Sequence, residues 1–197
     1  MLISDDAGSP GGTQPDLKEI VMGLQWDPPE DGIGAAPTDL DAVCVLFDTQ
    51  GAVLDMVHPG HPRIADDSVI HTGDSRTGAG AWDDERIFVF LDALAPAVST
   101  LAFVVVSATG RAISEARGAS CHVSDCVSER ELVRLELSSL PGCSGHIVTT
   151  LQRSAAGWKI GLDAQLVHAD LLAELRALPG KNYSATPASK AGDGIVT

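Results

Sequence analysis

Positive charge is scarce in this chain. Only 13 lysines and arginines stand against 27 aspartates and glutamates, a formal net charge of −14 over 197 residues. A nucleic-acid surface needs clustered basic side chains facing phosphates, so that class of partner is excluded. Docking on anionic lipid is disfavoured for the same reason, whereas a cation or a partner with a basic patch suits the charge. Long apolar runs are missing too, so no membrane-spanning helix is expected. Met1–Gln14 has neither the basic stretch nor the apolar core of a secretory signal, which makes the cytoplasm the expected compartment. There is no Walker loop and no dinucleotide fingerprint, because Gly78-Ala79-Gly80 does not open a helix after a parallel strand. Internal repeats are absent. Cys44, Cys121, Cys126 and Cys143 make an even set, but without a secretion signal they read as reduced structural thiols.

What is present is a core-forming chain. Hydrophobic residues make up 44% and charged residues 20%, ordinary values for a globular protein long enough for one domain. Residues 1–18 read as a flexible lead-in, 19–180 as the domain, and 181–197 as a disordered tail. Within the domain, short apolar runs alternate with turn clusters, the pattern of an all-β antiparallel sandwich. Strands are expected at Ile20–Trp26, Leu40–Phe47, Ala52–Val57, Arg86–Leu91, Leu101–Ser107, Ala119–Val127, Glu131–Leu137, Gly145–Arg153 and Trp158–Leu162. The continuous runs at Arg86–Leu91 and Leu101–Ser107 predict strands covered on both faces. Gly51 and Gly157 should close hairpins. A helical turn is expected at Ala112–Arg117. Leu171, Leu175 and Leu178 recur at helical spacing, so a short C-terminal α-helix is expected at about 168–178, stopped by Pro179-Gly180.

The densest chemistry lies in His71–Glu85. This glycine-rich stretch has Asp74 near its entrance and Asp83-Asp84-Glu85 at its exit. Glycines let the backbone curl so that the carboxylates approach one another. Crowded carboxylates repel unless a cation sits among them, and Ca²⁺ takes carboxylate and carbonyl oxygens in irregular loops. Asp39-Leu40-Asp41 opens an apolar strand, and residues two apart in extended chain project to one side. With Asp27 at the end of the preceding strand, these acids form a second group able to meet the loop at one end of the sandwich. The bland alternative is that all of them are solvated turn residues.

Other chemistries fit less well. An EF-hand count from Asp74 puts Glu85 at position twelve, but Arg76, Gly78 and Ala79 occupy positions that need oxygen ligands and a glycine. Gly73-Asp74-Ser75 is similar to an esterase nucleophile block, yet Asp55-Met56-Val57-His58 precedes the serine where that arrangement needs it later. His58 with His61, or Cys121-His122 with Cys126, lacks the second ligand pair of a zinc site. His58 and His61 are expected to be exposed, while His71 and His146 are expected to serve packing and hydrogen bonds.

Taken in order, Gly23-Leu24-Gln25-Trp26-Asp27-Pro28, Asp39-Leu40-Asp41-Ala42, His71-Thr72-Gly73-Asp74, Thr77-Gly78, Asp83-Asp84-Glu85 and Gly157-Trp158-Lys159 carry a resemblance. From about Ile20 to Leu162 the chain resembles the tellurium-resistance and bacterial stress-protein family, the TerD domain. The resemblance implies a calcium-binding β-sandwich without known catalysis, acting with protein partners in resistance to tellurite, phage and other stresses. It implies Ca²⁺ ligands at Asp39, Asp41, Asp74, Asp83, Asp84 and Glu85, with Asp27 as a contributor. This chain departs from the family at Ser75 (usually Asn), Ala79 (Glu), Ala81 (Asp) and Trp82 (Gly), and in replacing an aromatic-rich strand by His58-Pro59-Gly60-His61-Pro62. Fewer ligand charges imply weakened affinity or a single site. A metal-independent interaction scaffold with degraded calcium sites is the other reading, with partners recognised through the acidic face and the leucine helix.

Overall fold

The computed structural model describes residues 17–28 and 38–161. Ten strands follow in chain order: β1 (Glu19–Gln25), β2 (Leu40–Phe47), β3 (Val53–Val57), β4 (Val69–His71), β5 (Glu85–Phe90), β6 (Thr100–Ser107), β7 (Ser120–Asp125), β8 (Arg130–Glu136), β9 (Gly145–Ser154) and β10 (Gly157–Gly161). They form two five-stranded sheets, ordered β4-β5-β1-β7-β8 and β10-β9-β6-β2-β3. Every strand pairing is antiparallel. A β-sandwich is therefore what the apolar patterning builds. Single 3-10 turns lie at Ile113–Glu115, inside the expected helical turn, and at Leu137–Ser139. The helix expected at about 168–178 and the expected tail lie outside the described residues, as does most of the lead-in. Leu17, near the end of that lead-in, is buried in the core.

Alternation explains the packing. From the first sheet, Ile20, Met22, Leu24, Ile87, Val89, Cys121 and Val123 turn inward; from the second, Leu40, Ala42, Cys44, Leu46, Leu101, Phe103 and Val105 meet them. The other face of β2 and β6 is equally apolar and buried, through Val43, Val45, Phe47, Ala102, Val104 and Val106. That is why β2 is buried along its whole length. The strand β6 is covered on both faces as expected, but β5 is not. Its burial alternates, with Glu85, Ile87 and Val89 buried while Arg86 and Phe88 are only half-buried on the opposite face. The apolar run at Arg86–Leu91 was therefore misleading about coverage, because Phe88 and Phe90 face outward on a single-covered sheet.

Turn chemistry is as the glycines dictate. Gly51 and Gly157 adopt left-handed φ of 80° and 101° at their hairpins, conformations that L side chains rarely tolerate. The strand β4 was not expected, since three residues among turn-formers carry no readable period. It exists because Val69, Ile70 and His71 pair with Val89, Phe88 and Ile87 at the edge of the first sheet. This short strand delivers the chain into the acidic loop.

Candidate metal centre

The site begins with a strand that loses a neighbour. Along β2, pairing with β6 runs from Leu40 to Phe47, whereas pairing with β3 starts only at Cys44. Leu40 and Ala42 turn into the core, so Asp39 and Asp41 share the other side. Asp41 is fully buried. The approach to Asp39 is fastened by Trp26, whose indole N–H donates to Thr38 O at 3.1 Å.

Across from them runs the loop between β4 and β5. Gly73 takes φ 147° and turns the chain so that Asp74 faces β2. One oxygen each from Asp39, Asp41 and Asp74 lies within 4.8 Å of the other two. Two atoms, Asp39 Oδ1 and Asp41 Oδ2, are buried without a hydrogen-bond partner, although both residues make other contacts. On the exposed side, Arg76 Nε lies 3.3 Å from Asp74 Oδ2, but the Arg76 side chain is three-quarters exposed and its contribution is small. Two unit negative charges 4.8 Å apart, the widest spacing allowed among those three oxygens, repel by roughly 3 kcal/mol at an effective dielectric of about 20. Oxygens bound to one Ca²⁺ at 2.3–2.6 Å can be at most about 5 Å apart, so the three side chains fit a hard cation of that size.

Glu85, expected among the ligands, lies behind this group. Its Oε2 accepts the Ala42 N–H at 2.8 Å and lies 3.2 Å from His71 Nε2, and its Oε1 accepts the Ser75 N–H at 3.2 Å. Both side chains of the His71–Glu85 pair are fully buried. Burial pushes the Glu85 carboxyl above the usual range, opposed by His71 and by the amides of Ala42 and Ser75. Glu85 fills the space beside β2 where β3 does not reach.

The remaining acids are occupied with other groups. Asp84 Oδ2 accepts the Trp26 N–H at 3.0 Å, and Oδ1 accepts the Gly80 N–H at 2.9 Å. Asp83 Oδ2 accepts from Arg86 Nε at 2.8 Å, and its Oδ1 is 3.3 Å from His122 Nε2, whose Nδ1 is 2.9 Å from Ser124 Oγ. That meeting needs Gly23 beneath it, since a Cβ there would lie 2.4 Å from His122 Nε2 and 2.6 Å from Asp83 Cγ. Asp27 turns away to Arg117, at 3.9 Å, with its own N–H bonded to Arg117 O at 2.8 Å. The structure thus brings Asp39, Asp41 and Asp74 together and sets Asp27, Asp83, Asp84 and Glu85 to other tasks.

The loop itself is anchored at mid-length. Gly78 has φ 63° and is buried against Trp26; a Cβ there would fall 2.4 Å from Trp26 Cδ1 and 2.7 Å from Trp26 O. Trp82 is 76% exposed and is not among the left-handed residues, so its position does not require the family's glycine.

The cysteines and other histidines are elsewhere. Cys44 and Cys121 are buried, and desolvation raises both thiols, Cys121 to about 12. Cys121 points into the core while His122 faces Asp83, which separates that adjacent pair. His61 is half-exposed beside Asp55 at 3.3 Å, but His58 is buried, contrary to expectation, in the tight turn after β3 where its backbone pairs with that of His61 and its Nδ1 accepts the Gly60 N–H.

With the fold and site described, their likeness to known proteins is informative. Residues 11–177 match the TerD domain. The chain belongs to the TerD-domain family. It is 34% identical over 149 residues to "Tellurium resistance protein TerZ" of Serratia marcescens, covering 72% of this chain and 77% of that one. It is 31% identical over 155 residues to "General stress protein 16U" of Bacillus subtilis (strain 168), covering 75% and 80%. The crystal structure of a homologue of telluride resistance protein (TerD) from Streptomyces coelicolor A3(2) superposes with a TM-score of 0.66 at 23% identity, covering 74% of this chain and 87% of that one. That likeness supports the TerD fold. Among the described residues, no helix is long and apolar enough to cross a membrane.

Proposed function

We propose that this TerD-domain protein is a non-enzymatic, Ca²⁺-binding module of a cytoplasmic stress-response or tellurite-resistance assembly. The observation that carries the reading is the convergence of Asp39, Asp41 and Asp74, oxygens within 4.8 Å. Bound there, Ca²⁺ would supply the positive charge that offsets their repulsion. Three carboxylates give fewer oxygens than the six to eight this ion takes, so carbonyls or water would complete the shell. One site of modest affinity follows, weaker than roughly a micromolar sensor. Since Asp84 and Trp26 already fasten the far half of the loop, the part held by the ion would be Gly73–Ser75. That part would present a docking surface to a protein partner.

The test is isothermal titration of the purified protein with Ca²⁺, beside thermal melting in EDTA and in Ca²⁺. One equivalent of heat and a raised melting temperature are expected, because a ligand bound by the native state alone stabilises it, by about 2.7 kcal/mol at a hundred times its dissociation constant. No heat and identical melts would favour the second reading, a metal-independent scaffold. The observation on that side is that Asp83, Asp84, Glu85 and Asp27 all have protein partners.

A further inference from the structure

We infer that His71 and Glu85 act together as positioning residues for the cation site, without touching the ion; this rests on the Ca²⁺ reading above. The pair is fully buried, yet its hydrogen bonds run to the backbone beside the proposed ligands. His71 Nδ1 accepts the Gly73 N–H at 3.1 Å, which places the ring proton on Nε2, facing Glu85 Oε2 at 3.2 Å. Glu85 then accepts the Ala42 and Ser75 N–H groups. The three amides held are those of the residue after Asp41 and of the residues on both sides of Asp74. Two segments far apart in the chain are thus locked to one carboxylate–imidazole unit, and the separation of Asp41 from Asp74 is set by it.

The arrangement parallels metal sites in which an outer hydrogen-bonding layer orients the ligands and its loss lowers affinity by ten- to a hundredfold. Here the outer layer holds the ligands' backbone instead of their side chains. A buried carboxylate and imidazole must find donors wherever they lie, and here the donors are the three amides that flank the proposed ligands. The Gly73 amide is the most telling, because Gly73 itself is solvent-exposed.

The experiment uses the full-length protein and three variants, His71→Ala, His71→Gln and His71→Asn. Ca²⁺ affinity is measured by calorimetry, and Tb³⁺ luminescence lifetimes in H₂O and D₂O count the waters on the bound ion. His71→Ala should lose at least about tenfold in affinity and add at least one water to bound Tb³⁺. His71→Gln, whose amide can still donate to Glu85, should recover part of both losses, and His71→Asn less. A merely structural role would lower the melting temperature and leave the hydration count alone. Wild-type affinity and hydration in folded variants would overturn the inference while leaving the Ca²⁺ reading intact. A wild-type protein that binds neither ion would overturn both. Should the variants not fold, hydrogen exchange on the metal-free wild type decides: the Gly73 and Ser75 amides should be protected, and exchange at open-chain rates would refute the brace.

Discussion

At one end of the loop between β4 and β5, Asp74 faces Asp39 and Asp41, carboxylate toward carboxylate. At the other end, Asp83 lies against Arg86 and His122, and Asp84 against the amides of Trp26 and Gly80. In sequence the exit is the more acidic, with Asp83-Asp84-Glu85 against Asp74 alone at the entrance. The exit spends its charge on the protein's own donors and holds the fold; at the entrance three carboxylates gather, the arrangement on which the proposed Ca²⁺ reading rests. A carboxylate fastened by two of the protein's own donors keeps spare lone pairs but does not swing freely toward a shared centre, so density of carboxylates is a poor guide to a site. Their convergence is the better one.

The largest effect that could break this contrast is on affinity. Asp41→Asn should weaken Ca²⁺ binding by roughly a hundredfold, since ligand charge tunes such sites over decades. Asp83→Asn should stay within about threefold of wild type on the same calorimetric scale. Equal losses would show that both ends serve the ion. Next comes the anchor between the two ends: Gly78→Ala combines a left-handed backbone with a Cβ against Trp26 and should cost about 2–3 kcal/mol in urea unfolding.

A subtler lever is pH in EDTA. The Glu85 carboxyl titrates above its unfolded value of 4.5, so the native state holds the proton more tightly. Its contribution to stability is complete below that value and is lost as pH rises through the folded-state titration. The stability advantage of wild type over Glu85→Gln should therefore shrink as pH climbs from about 4.5 toward neutrality, by the linkage of protons to folding. A flat difference would mean that Glu85 is not desolvated as its burial indicates. The smallest effect belongs to the loop tip. Trp82→Gly should change stability by less than about 0.5 kcal/mol, because the indole is mostly in water and its backbone is not left-handed. A larger shift would show that the tip is coupled to one end or the other.

The apolar run at Arg86–Leu91 hid part of this contrast. Once β5 is seen to alternate, Glu85 falls with Ile87 and Val89 on the inward face, where a buried carboxylate needs internal donors. The pairing of Asp83 with His122 had no local signal, for it depends on β1 and β7 lying side by side with Gly23 between them. Likewise Asp27 faces Arg117 only because the chain after β1 meets the turn before β7.

Local pattern determined nine of the ten described strands, the hairpin glycines and the membership of Asp39, Asp41 and Asp74 among the candidates, because period, turn geometry and charge are properties of neighbouring residues. Which oxygens converge, which acids bond to arginine, histidine or amide, and which histidine bonds the backbone beside Asp74 were decided by sheet order and register. Electrostatic energy depends on distance through space, and only the packed sandwich sets those distances.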